Sequence, residues 1–143
     1  MPKVQNKIKG WTFYNVIAVL TVLESLLILA GILPPLAYNS AGAAVFSVAQ
    51  IITVAAMGRS LAKFGIKAAA KKGARAGLLI VAIISVFTLI GYVNGIPVLG
   101  LSFPAAYYLP VALFSMAIAN ALLFAAVAVI GAAIALKKSK RKK

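Results

Sequence analysis

The chain reads as an all-α protein of four hydrophobic antiparallel helices in two hairpins, forming a single domain over 1–143. Three observations predict this. Long apolar stretches, each of helical length, are separated by short breaks. Two of those breaks, Pro34–Ser40 and Asn94–Pro104, carry Pro, the second Gly as well, and neither carries charge. All basic residues lie at the chain ends or in the middle connection. In an up-down-up-down arrangement, those basic segments share one end and the uncharged turns share the other.

A basic arm over 1–10 (MPKVQNKIKG) precedes Trp11, Phe13 and Tyr14, an aromatic cluster where polar and apolar sequence meet. Helix 1 is expected over 12–33, ended by Pro34-Pro35, because proline lacks an N–H and disfavours helix in the residue before it. Its apolar run is too long for the core of a signal peptide. Helix 2 is expected over 41–71, running on into a basic ridge at 59–75, with the turn at Lys72-Gly73. Helix 3 is expected over 76–92. Helix 4 is expected over 105–136, beginning around Ala105–Pro110 because proline is tolerated in a first turn, and a basic tail, KKSKRKK, follows over 137–143.

The two hairpins echo each other. Pro35-Leu-Ala-Tyr38 then Phe46-Ser-Val-Ala49 is matched by Pro104-Ala-Ala-Tyr107 then Phe114-Ser-Met-Ala117, with a one-residue difference in offset. Duplication of a hairpin and coincidence both fit. Helix 4 carries Ala117, Ala121 and Ala125, then Ala128 and Ala132, at four-residue spacing. Such a stripe lets helices approach closely.

Composition narrows the function. The chain is 64% hydrophobic, with Lys+Arg 15 against Asp+Glu 1 and a formal charge of +14. A soluble domain is about half apolar and a quarter charged, so apolar surface here must face lipid or other copies. The charge selects anionic partners, phospholipid headgroups or nucleic acid. With no Cys, no His and Glu24 as the single carboxylate, disulfides, thiol chemistry, zinc or haem ligation and paired-carboxylate catalysis are excluded. No enzymatic activity, metal or cofactor is expected.

The strongest pattern is GRSLAKFGIKAAAKKGARAG, from Gly58 to Gly77. Arg59, Lys63, Lys67, Lys71 and Arg75 fall four residues apart, joined by Lys72. On one helix they would form a ridge about 24 Å long. Like charges at this spacing destabilise a helix unless something anionic compensates them. Gly58, Gly65 and Gly73 read as bends that fit the ridge to a curved partner. With Lys3, Lys7 and Lys9 of the arm and Lys137, Lys138, Lys140, Arg141, Lys142 and Lys143 of the tail, the ridge makes a face suited to phosphate-backbone contact. The ridge itself holds no Asn or Gln to read bases, so binding to double-stranded DNA should be sequence-independent.

Within the apolar zone, Glu24, Gln50, Ser85 and Asn120 lie at similar distances from the uncharged turns. They are expected to form one buried polar layer, Gln50 and Asn120 donating to the Glu24 carboxyl. Its expected role is to set helix register; the alternative is a proton site.

Two readings share this pattern. One is a DNA-packaging coat protein, assembling through apolar helix contacts with many copies of itself and found in a virion. The other is a four-span integral membrane protein of the host cell membrane, both termini cytoplasmic, such as an accessory subunit of a respiratory or transport complex. Orientation in a membrane requires only a few positive charges, so fifteen with almost no acid favour the first. Anionic lipid is a further partner of such a face. The segments MPKVQNKIKGW, GRSLAKFGIKAAAKKGARAG and KKSKRKK, set among Ala-rich apolar helices with an uncharged hairpin end, resemble major coat proteins of spindle-shaped, tailed archaeal viruses. That resemblance covers the whole chain in character. It implies a four-helix capsid subunit in helical strands that touch through apolar surfaces and enclose double-stranded DNA.

Overall fold

The computed structural model describes residues 2–38, 41–101 and 107–140, and the side chains of 12–38, 41–101 and 107–139. Among these residues the fold is all-α. It has four long helices: α1 (Pro2–Leu29), α2 (Ala41–Leu61), α3 (Ile66–Val93) and α4 (Leu109–Lys140). Short 3-10 turns occur at Leu36–Tyr38 and Ala62–Phe64. α4 packs on α3 and α2, and α1 packs on α3 and α2.

The helix ends differ from the sequence expectation for identifiable reasons. The basic arm is helical from Pro2 and continuous with the apolar part of α1. At its other end α1 stops at Leu29 rather than 33. Gly31 adopts φ +71°, its N–H donates to the Ile28 carbonyl, and the Ile32 N–H donates to the Leu27 carbonyl. This left-handed glycine cap satisfies the last carbonyls before the prolines are reached.

The largest correction concerns the middle connection. α2 does not run to 71, and the turn is not at Lys72-Gly73. The chain bends at Gly65, whose φ of 92° and ψ of 161° lie where glycine alone is unstrained. Lys72 and Gly73 sit inside α3, which starts at Ile66 and not 76. At the far end α4 continues past 136 to Lys140, while 105–106, the expected start of helix 4, lie outside the described residues.

The core is unusually fine-grained. Ala69, Ala76, Ala128 and Ala132 are fully buried beside Ile17, Val54, Met57, Ile80, Ile84 and Phe124. Glycines bring the backbones together where α4 crosses its neighbours. A Cβ at Gly73 or Gly77 would run into the carbonyl of Phe124 or Asn120, and one at Gly58 or Gly131 into that of Ala128 or Ala55. Gly58 and Gly73 are therefore points of close approach, not bends; only Gly65 of the three bends the chain.

Tight packing inside leaves much apolar surface outside. Val93, Phe114 and Leu122 are 84%, 69% and 68% exposed, and large apolar side chains are exposed on all four helices. The chain presents 9023 Å² of accessible surface, against about 7,000 Å² for a compact soluble monomer of this mass. All four helices are long and apolar enough to cross a membrane.

Candidate anion interface at the basic end

The four-residue series of cations is split between two helices. Arg59 lies in the last turn of α2 and Lys63 in the 3-10 turn that follows. Lys67, Lys71 and Arg75 lie on α3, beyond the bend at Gly65. The expected single ridge of about 24 Å is thus not formed. On α3 the three exposed cations span eight residues, about 12 Å of helix, and Arg59 and Lys63 approach from the other side of the bend.

All of these are exposed except Lys72, which is half-buried. The Lys72 ammonium lies 5.7 Å from the centroid of the Tyr14 ring, and the Tyr14 hydroxyl donates to the Lys72 carbonyl at 3.1 Å. Tyr14 thereby pins α1 to the first turns of α3 at the level of the cations. Lys63 lies 5.1 Å from the centroid of the neighbouring Phe64 ring. Such contacts orient the aliphatic stems and leave the charges outward.

α4 reaches the same end. Gly58 faces Ala128 and Gly131 faces Ala55, so α4 passes the end of α2, and Lys137 and Lys138 follow, both exposed. Lys3, Lys7 and Lys9 fall in the first turns of α1, on the basic side of Tyr14, though their side chains lie outside the described residues. The Lys140 side chain and Arg141, Lys142 and Lys143 also lie outside them. Eight cationic side chains are thus placed at one end, and no acid is among the described residues there. Chemically such a cluster can pair with anions such as phosphates, and none of its eight described side chains is an amide that reads bases.

The expected polar layer is only partly assembled. Glu24 and Gln50 are both buried, each 5% exposed. The Gln50 amide donates not to Glu24 but to the Thr21 hydroxyl, at 3.2 Å, and that hydroxyl donates to the Ile17 carbonyl at 2.8 Å. Ser85 and Asn120 bond to carbonyls of their own helices, Val81 at 2.7 Å and Met116 at 2.9 Å. Asn120 faces Gly77, eight residues from Ser85 and so about 12 Å away along α3. The reason is helix crossing: glycine contacts set the α3–α4 register, and that register puts Asn120 nearer the basic end.

Sequence reasoning missed three features of this region. Thr21, Ser25 and Thr88 are buried polar residues, the first two on the α1 face that carries Glu24. Gly73 and Gly77 form a small-xxx-small notch, a signal present in the sequence as Gly-Ala-Arg-Ala-Gly. Tyr38, Tyr92, Tyr107 and Tyr108 are exposed at the uncharged end, where no charged residue lies. The chain matches no family model, no curated protein and no solved structure.

Proposed function

We propose that this chain is a structural coat subunit that packages DNA in a virion. Its basic end neutralises the phosphates of double-stranded DNA without reading sequence, and its apolar flanks make lateral contacts with further copies in helical strands. One observation carries the proposal: eight cationic side chains gather at one end with no described acid to pair with them. Cations that face no internal partner repel one another unless an external polyanion compensates them. DNA, with one charge per about 1.7 Å of helix axis, supplies that compensation at high density. The resemblance of the basic segments to spindle-shaped virus coats supports the same reading.

Purified material tests it. Native particles should release DNA that was protected from nuclease, and the free protein should bind duplexes of unrelated sequence with equal affinity. Particles or protein free of nucleic acid, with no affinity for duplex DNA at low salt, would sink the proposal.

A further inference from the structure

We infer that the apolar girdle of this protein is seated in a lipid layer, with the basic end at the level of anionic headgroups and the exposed tyrosines at the opposite boundary. The first support is a change of character along one helical face. On α3 the exposed positions 67, 71, 75, 78, 82, 86, 89 and 93 recur every three or four residues and so lie on one stripe. Lys67, Lys71 and Arg75 begin it; Leu78, Ala82, Val86, Leu89 and Val93 continue it. Every one of these side chains is exposed, so the surroundings, not the fold, must change between Arg75 and Leu78. α4 makes the same change in reverse, from exposed Phe114, Leu122 and Ile134 to exposed Lys137 and Lys138, but farther toward the basic end: with Gly73 against Phe124, Ile130 and Ile134 lie beside the first turn of α3.

The second support lies at the far boundary. Tyr38, Tyr92, Tyr107 and Tyr108 are 68%, 48%, 90% and 69% exposed. Tyrosine combines an apolar ring with a hydroxyl that needs water or a headgroup, and it concentrates where an apolar layer meets water. Tyr14, the remaining tyrosine, sits at the cation level beside Lys72. All five tyrosines thus mark one boundary or the other.

The third support is height. From Arg75 to Tyr92 on α3, and from Tyr14 to the closing turn at Gly31 on α1, the distance is seventeen residues, about 26 Å of helix; α4 is longer, twenty-nine residues from Tyr108 to Lys137, about 44 Å, and carries its last lysines beyond that layer. A hydrocarbon layer is about 30 Å thick. Contacts with further copies along strands take up part of this apolar surface, and exposure on all four helices leaves more to be covered. Fluid acyl chains cover the faces that copies leave open, and anionic headgroups complement the cations at one boundary.

The chain has no cysteine, so single cysteines can be introduced and spin-labelled cleanly. Labels at Val86→Cys, Leu122→Cys and Lys71→Cys would be read in native particles and in vesicles of phosphatidylglycerol with phosphatidylcholine. At 86 and 122, collision with oxygen should exceed collision with a water-soluble nickel chelate several-fold, and at 71 the order should reverse. Organic extraction of the same particles should yield phospholipid. Labels at 86 and 122 that are immobile and shielded from both reagents, in particles that yield no lipid, would show that copies of the chain cover the girdle and overturn the inference. The inference does not rest on DNA packaging. Lipid contact without any DNA would uphold it, discard the coat proposal and leave the four-span membrane protein.

Discussion

Gly77 of α3 lies against the backbone of Asn120 of α4, so close that a single added methyl would meet the Asn120 carbonyl. This contact and its neighbour, Gly73 against Phe124, set the spacing of the two most extensively packed helices. Both glycines are buried, and the atoms opposite them are backbone or the Ala128 Cβ, none of which can swing aside as a longer side chain can.

Gly77→Leu should therefore force α3 and α4 apart. Overpacking of this kind costs about 1–3 kcal/mol even where side chains can adjust, and the loss here should lie at or beyond the upper end. Thermal unfolding followed by far-ultraviolet circular dichroism in detergent or vesicles would measure it. The same change at exposed Ala82 should alter stability little, and equal tolerance at 77 and 82 would contradict the glycine contact.

Gly65→Ala tests the bend. Its φ of 92° places any residue with a Cβ in strained backbone, at a cost of about 1–3 kcal/mol. Straightening the connection would merge α2 and α3 toward the single long helix that the charge spacing favours. Distances between labels at Arg59→Cys and Arg75→Cys should lengthen in this variant if the bend yields, and the melting temperature should fall if it does not.

The Gln50–Thr21 bond predicts an asymmetry between two buried polar residues. Gln50→Leu removes the donor to the Thr21 hydroxyl and should lower stability by about 0.5–1.5 kcal/mol. Glu24→Gln keeps the shape of the side chain, and no cation lies in the surrounding apolar zone of the described residues. Assembly and melting temperature should change little. Loss of assembly on Glu24→Gln would mean the carboxyl does more than fill its place.

Charge reversal on either side of the bend bears on DNA. Lys63 and Lys67 are both exposed, one before Gly65 and one after it, so both segments should contribute to binding. In the doubly reversed variant, Lys63→Glu with Lys67→Glu, the slope of log affinity against log salt should shrink by about 0.9 per lost phosphate contact. Fluorescence titrations of a duplex at several salt concentrations would give that slope. An unchanged slope would exclude these two lysines from the phosphate interface.

Much of the architecture was legible in the residues because it depends on local properties. Apolar runs of helical length, broken by Pro34-Pro35 and by the Gly- and Pro-rich Asn94–Pro104 segment, specify four helices without reference to packing. The position of the middle turn was not legible. Four-residue charge spacing from Arg59 to Arg75 argues for an unbroken helix, and a single glycine at 65 is a weak stop signal, since glycines at 58, 73 and 77 in the same stretch stay helical. What separates them is contact: Gly58, Gly73 and Gly77 are held helical at crossings with α4, whereas nothing lies within reach of Gly65.

The amino-acid chain alone decides that all cations lie in the two termini and the middle connection, that the other two connections are uncharged, and that more apolar surface exists than four helices can bury among themselves. These are matters of composition and order, which hold for any packing of the same helices. Tertiary structure decides register. Which glycine bends, which glycines admit a neighbouring backbone, and which polar group meets which partner all depend on how α4 crosses α2 and α3. Gln50 pairs with Thr21 rather than Glu24 because hydrogen bonds require atoms within about 3 Å, and the order of residues along the chain does not set distances between helices to that accuracy.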